Sequence, residues 1–243
     1  QDELERSKGA RSPGDMVGKT GIERYYDAYL RGKNGAEQVE VNALGKAVRS
    51  LGRINPVAGC NLVLTIDAYL QEVAWKAMAG KSGAVVAMDP RDGSIYAMVS
   101  SPGFDPNLFN GGISTENWNL LSRDPQHPME QRAISGQYPP GSTYKLIVAA
   151  AALEEGLISP ESSILCTGSF DFGTRSSRCW QKHGHGMVDL HRAIVESCDV
   201  YFYVLGKKLG VDRIAWYAKK FGFGAVTGID LPREKAGVIP TSE

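Results

Sequence analysis

No apolar run in this chain approaches the roughly 20 residues needed to cross a bilayer. The most apolar stretch, Leu146–Leu153, is far shorter. No secretory signal stands at the start. Methionine is missing there as well: the chain opens Gln1-Asp2-Glu3-Leu4-Glu5-Arg6 and is expected to be a cut from a longer protein. An excess of one charge is also lacking. The 27 Lys and Arg balance the 27 Asp and Glu, for a formal net charge of +0, which removes the bulk electrostatic case for a nucleic-acid partner. There is no internal repeat and no low-complexity segment. Cysteine is scarce, with four residues, but Cys166, Cys179 and Cys198 crowd one short window while Cys60 stands apart. The 243 residues suffice for one large domain or two modest ones.

What is present divides near residue 58. The first part is polar and glycine-rich, with too few apolar residues for a substantial core. Within it the pattern predicts a short amphipathic helix from Gly21 to Leu30, ended by Gly32. Two alternating strands are expected, Gln38–Ala43 and Ala47–Leu51. Composition shifts at Pro56-Val57-Ala58-Gly59. Beyond it we expect a strand at Asn61–Ile66 and a helix at Ala68–Met78 with Asp67 as N-cap. Ala84–Met88 and Ser94–Val99, joined by Asp89-Pro90-Arg91-Asp92-Gly93, read as an antiparallel hairpin. Residues 101–138 read as irregular, as do those from Gly156 to about Val188. One helix is predicted from Leu190 to about Leu209 and another from Arg213 to Phe221.

The chemistry concentrates at Ser142-Thr143-Tyr144-Lys145, which follows the turn Tyr138-Pro139-Pro140-Gly141 and opens an alanine-rich helix. A serine and a lysine three residues apart share one helix face. A serine hydroxyl is a weak nucleophile until a neighbour takes its proton. A lysine beside it can do so once its own charge is suppressed by burial or by other cations. The helix N-terminus adds unpaired N–H groups that can hold an oxyanion. By itself the pattern also fits a surface helix start with a solvated lysine. A second element, Ser197-Cys198-Asp199, precedes the apolar run Val200-Tyr201-Phe202-Tyr203-Val204-Leu205. A polar pair on a buried helix wants a purpose: a second hydroxyl can relay a proton to a leaving group, and a carboxylate can orient the lysine or hold a substrate amide.

Ser-x-x-Lys followed by a Ser-x-Asn-type motif is the signature order of penicillin-binding proteins and serine β-lactamases. The chain resembles the class B penicillin-binding proteins, and among them the elongation-type branch, the penicillin-binding protein 2 group. The resemblance runs through Gly18–Glu23, Leu64–Asp67, Gly83–Pro90, Tyr138–Lys145, Glu196–Asp199 and Gly228–Pro232, and so covers essentially the whole chain. It implies an α+β fold: part of a small pedestal (dimerisation-type) domain at 1–58, then the N-terminal portion of a penicillin-binding transpeptidase domain at 59–243. It implies peptidoglycan D,D-transpeptidation during cell elongation, with Ser142 as nucleophile, Lys145 as its base, Ser197 as proton relay and Asp199 positioning both. It further implies stem peptides ending in D-Ala–D-Ala and β-lactams as ligands. A polytopic glycosyltransferase and other elongation-complex proteins are the implied partners. The implied address is periplasmic, on an inner-membrane anchor that this chain lacks. The alternative is a non-catalytic penicillin-recognising scaffold or sensor.

Two departures stand out. The second motif ends in Asp199 where the general pattern has Asn, as the elongation-type branch does. No Lys-Thr-Gly follows it before Glu243; Lys19-Thr20-Gly21 precedes Ser142 and belongs to the pedestal. The resemblance therefore implies a transpeptidase domain without its C-terminal part, and weak or absent acylation by these residues alone.

Cys166, Cys179, His185 and Cys198 are separated by 12, 5 and 12 residues. Three thiolates and an imidazole suit tetrahedral, structural Zn²⁺, although no tight Cys-x-x-Cys is present. The loop between them has few apolar residues and gains from a metal clip. Buried free thiols, or one disulfide, are the alternatives. Some elongation-type penicillin-binding proteins resemble this chain in carrying a metal at matching positions.

Overall fold

The computed structural model describes residues 15–242, and these form two compact units, residues 15–135 with 228–234, and 136–227 with 235–242. The expected α+β character holds, and each of the four sheets among the described residues is a two-stranded antiparallel pair.

In the first unit, the expected N-terminal helix is two short ones, α1 (Gly21–Tyr25) and α2 (Asp27–Leu30), broken at Tyr26. The Gly18 N–H donates to Asp27 Oδ1. Gly18 has to be glycine, because a Cβ there would lie 2.0 Å from the Glu23 carbonyl oxygen. Strands β1 (Ala36–Val41) and β2 (Ala47–Ile54) form the expected hairpin, exposed along both strands. The predicted strand at Asn61–Ile66 does not form. Its only ties to the hairpin that follows are Thr65 Oγ1 to the Ile95 carbonyl and the Asp67 N–H to the Tyr96 carbonyl, which is too little for a ladder. Helix α3 (Ala68–Ala77) starts as its N-cap demands, with Asp67 accepting the Leu70 N–H.

Strands β3 (Gly83–Met88) and β4 (Ile95–Ser101) form the second hairpin. Alternation buries Ala97 and Val99 and leaves Val86 and Met88 outward. The turn is locked by Asp89, which accepts from the Arg91 N–H, the Arg91 guanidinium and the Tyr96 hydroxyl. The stretch read as irregular contains α4 (Thr115–Arg123), capped by Ser114, and α5 (Arg132–Ser135).

The core lies in the second unit. Helix α6 (Lys145–Glu154) buries the wide face carried by Ile147, Val148, Ala149, Ala151 and Ala152, with Ala151 and Ala152 fully inaccessible, and leaves Leu146 and Leu153 exposed. Small side chains let α8 (Asp199–Leu209) and α9 (Val211–Lys220) pack closely on it. Tyr201 and Leu205 of α8 are fully buried, and the Tyr201 hydroxyl is satisfied by the Ser162 carbonyl at 3.0 Å. The loop-rich reading after Gly156 missed two small antiparallel pairs, β5 (Ile164–Cys166) with β8 (Gly186–Val188) and, between them in sequence, the hairpin β6 (Ser169–Phe172) with β7 (Arg175–Arg178). Their strands are only three or four residues long, too short to leave a periodic signal.

Candidate active site

The single helix predicted from Leu190 to Leu209 is two helices, α7 (Leu190–Val195) and α8. The break carries the second motif. Ser197 adopts φ 52°, a left-handed conformation uncommon for a residue with a Cβ, and Cys198 is the N-cap of α8. The predicted position early in one long helix is therefore wrong. A continuous helix would fan Ser197 and Asp199 to different faces; the break lets both meet Lys145.

Ser142 sits in a 3₁₀ turn, Gly141–Tyr144, that leads directly into α6. Lys145 is thus the first residue of a buried α-helix, where the helix dipole disfavours a positive charge. Three acceptors compensate. Lys145 Nζ donates to Asp199 Oδ1 at 2.6 Å, to the Ser197 carbonyl at 2.8 Å and to Ser197 Oγ at 2.9 Å, which uses all three ammonium protons. Its face is also shielded by the Phe202 ring, 5.6 Å away. Ser197 Oγ in turn donates to Ser142 Oγ at 3.0 Å. The four predicted residues thus form one line: Ser142, Ser197, Lys145, Asp199. The far carboxylate oxygen, Asp199 Oδ2, accepts the Trp180 main-chain N–H at 3.1 Å. That contact was not foreseen from sequence: the Trp180 side chain is largely exposed and its backbone holds the carboxylate.

The predicted metal ligands also come together. Cys166, Cys179, His185 and Cys198 place their ligand atoms within 4.8 Å of one another, and the three cysteines are buried and free of disulfides. His185 Nδ1 lies 3.6 Å from both Cys166 Sγ and Cys179 Sγ. Zinc bonds of ~2.3 Å to sulfur and ~2.05 Å to nitrogen at the tetrahedral angle put S and N about 3.6 Å apart, so the donor set fits the ion. One of the sulfurs is biased towards the thiolate. Burial opposes this at Cys179, but the N–H groups of Gln181, Asp199 and Val200 outweigh it and lower that thiol's pKa. At Cys198 burial dominates and the pKa is pushed up to about 12, with the neighbouring cysteines adding to it. Gly184 permits the approach: it has φ 78°, and a Cβ on it would meet the Cys166 carbonyl at 2.0 Å.

The ligand set and the hydroxyl line are adjacent in sequence at two points. Cys198 precedes Asp199, and Cys179 precedes the Trp180 N–H that holds Asp199. His127, His183 and His191 take no part in either cluster.

Residues 83–243 match the penicillin binding protein transpeptidase domain, and residues 1–64 the penicillin-binding protein dimerisation domain. The chain is 45% identical over 229 residues to the peptidoglycan D,D-transpeptidase MrdA of Haemophilus influenzae, covering 93% of this chain and 35% of that one. Among solved structures it resembles Pseudomonas aeruginosa PBP2 in complex with WCK 5153, with a TM-score of 0.78, 38% identity, and coverage of 93% of this chain and 47% of that one. The complex of PBP2 and MreC from Helicobacter pylori gives a TM-score of 0.88 at 36% identity, covering 98% and 45%. The chain thus spans about a third of the curated relative and just under half of each solved one. With a Ser-x-x-Lys turn joined by hydrogen bonds to a Ser-x-Asp motif, and with these matches across its length, the chain belongs to the penicillin-binding protein transpeptidase family.

Proposed function

We propose that this chain carries the acylating half of a peptidoglycan D,D-transpeptidase acting in cell elongation. The observation that supports it is the line Ser142 Oγ–Ser197 Oγ–Lys145 Nζ–Asp199 Oδ1, with successive separations of 3.0, 2.9 and 2.6 Å. At rest the hydrogen bonds point from the ammonium towards Ser142. For attack they reverse. Once the Lys145 ammonium has released one proton to solvent, Ser142 gives its proton to Ser197 Oγ as Ser197 gives its own to the lysine amine, and Ser142 Oγ bonds to the carbonyl of a D-Ala–D-Ala stem peptide. The Ser142 main-chain N–H, at the start of a helical turn, helps hold the oxyanion. When the intermediate collapses, the C–N bond breaks and the proton returns through Ser197 to the departing D-Ala. The acyl-enzyme is resolved by an amine of a neighbouring strand. Asp199 does not exchange protons; it fixes Lys145.

Cys166, Cys179, His185 and Cys198 would hold a structural Zn²⁺, whose role is a cross-link. These residues tie the loop of β5–β8 to the start of α8 and so set Asp199 and the Trp180 N–H that grips it.

The division we propose gives 1–58 to the pedestal and 59–243 to the transpeptidase part. β-Lactams are proposed ligands of Ser142. Elongation-complex proteins, including a polytopic glycosyltransferase, are proposed partners, a reading supported by the MreC complex of the Helicobacter pylori relative. The proposed address of the full-length protein is the periplasm, on an inner-membrane anchor. No helix among the described residues is long and apolar enough to cross a membrane. The test is labelling of the full-length protein by a fluorescent penicillin. Ser142→Ala should abolish the signal; undiminished labelling would reject the nucleophile and leave a non-catalytic penicillin-recognising scaffold as the better reading.

A further inference from the structure

The two ring nitrogens of His185 are not equally partnered. Its Nδ1 faces Cys166 and Cys179 at 3.6 Å. The Trp180 ring stands edge-on to it, with centroids 5.3 Å apart. Its other nitrogen, Nε2, is buried without a hydrogen bond, and the only other side-chain atom in that condition among the described residues is Glu196 Oε2. These two orphaned atoms face each other across 4.0 Å. A buried N–H and a buried carboxylate oxygen each lose free energy while unpaired, so their juxtaposition wants an explanation.

We propose that Glu196 is the outer partner of the metal-holding imidazole, its Oε2 accepting the Nε2–H of His185 and fixing the tautomer and ring plane that turn Nδ1 towards the sulfurs. This rests on the metal reading above. A metal on Nδ1 leaves Nε2 as the protonated nitrogen, and a carboxylate is the usual acceptor for such a proton. Closing the gap needs about 1 Å, which a small rotation of the glutamate side chain supplies.

The rest of Glu196 is anchored for this task. Its Oε1 accepts from Arg192 Nε at 2.8 Å, one helical turn earlier, and its carbonyl accepts the Trp180 indole N–H at 3.0 Å. Arg192 also answers an electrostatic objection. Three thiolates around a dication carry a net negative charge, next to which a bare carboxylate would be repelled; the guanidinium on its outer oxygen offsets that. Glu196 is therefore a positioning residue, one step removed from the metal and adjacent in sequence to Ser197.

The test measures zinc affinity of the full chain by competition with a chromophoric chelator, for the parent and for Glu196→Ala, Glu196→Met and Glu196→Gln. Cobalt(II) spectra of each follow the ligand field. Loss of the acceptor should weaken zinc about 10- to 100-fold in the Ala and Met variants and shift the cobalt bands. Gln, whose amide oxygen still accepts from Nε2–H, should restore most of both. Met matches Glu in length, so it carries the test if Ala does not fold. Zinc affinity and cobalt bands unchanged in the Met variant would overturn the role of Glu196 while leaving the metal site standing. A parent chain that binds no zinc would overturn both.

Discussion

Asp199 is the sharpest place to test the active-site reading, because both of its oxygens are committed. Oδ1 takes Lys145 Nζ at 2.6 Å and Oδ2 takes the Trp180 N–H at 3.1 Å. Asp199→Asn keeps the shape and leaves one acceptor for two donors. Whichever way the amide turns, a donor from Lys145 or Trp180 faces an NH₂ group. An unsatisfied buried donor costs about 1–3 kcal/mol, and losing one partner of a fully buried ion pair costs about 3–5 kcal/mol. The pair here is mostly but not wholly buried, with side-chain exposures of 14% and 24%, so we expect about 2–4 kcal/mol in total. Urea unfolding of parent and variant at equal zinc reads this directly. In the full-length protein the acylation rate by a fluorescent penicillin should fall on the order of 10²-fold, as for a displaced general base. A variant within about 0.5 kcal/mol of the parent that acylates at the parent rate would refute the claim that Asp199 positions Lys145.

Three further outcomes are expected. If zinc saturates the cysteine cluster at about 1,000 times its Kd, binding contributes about 4 kcal/mol. Chelation should then lower the thermal midpoint by about 8–16 °C for a domain of this size; a melt indifferent to chelator and to added zinc would count against the site. Leu205 is fully buried between α8 and its neighbours, so Leu205→Ala should cost about 2–5 kcal/mol by chemical denaturation, and a cost under about 1 kcal/mol would show that α8 is not the core helix. The Arg91 guanidinium, then the Arg91 N–H and the Tyr96 hydroxyl, hold the Asp89 carboxyl well below the ordinary carboxylate range. Its contribution is therefore full above about pH 4, the unfolded aspartate value, and is lost as pH falls towards the lower folded value. Asp89→Asn should flatten that acid limb of the stability curve, and an unchanged limb would exclude the turn as its source.

Most of what sequence made legible here was residue type and order, and most of what it hid was path. Ser142 and Lys145 were readable because one helical turn brings i and i+3 together, and the structure keeps that turn as a 3₁₀ segment feeding α6. The clustering of Cys166, Cys179, His185 and Cys198 was readable because thiols and imidazole crowd a segment too poor in apolar residues to pack by itself. Hidden were the break at Ser197, the short strands β5–β8 and the Trp180 N–H. A helix interruption at a residue with a Cβ runs against local preference, so no propensity argument places it. It is held from elsewhere in the chain by Lys145 Nζ on the Ser197 carbonyl and hydroxyl, and locally by the Cys198 N–H on the Ala193 carbonyl of α7. The same logic explains why the Trp180 contact was not foreseen. An indole reads as core by composition, but the group that matters is its backbone N–H, which every non-proline residue carries and no sequence pattern marks. The cysteines next to it are the legible sign. Cys179 and Cys198 each precede one half of the Trp180–Asp199 contact, so a metal between them would draw that contact shut, and the lysine's carboxylate partner would be set by chemistry outside the catalytic line itself.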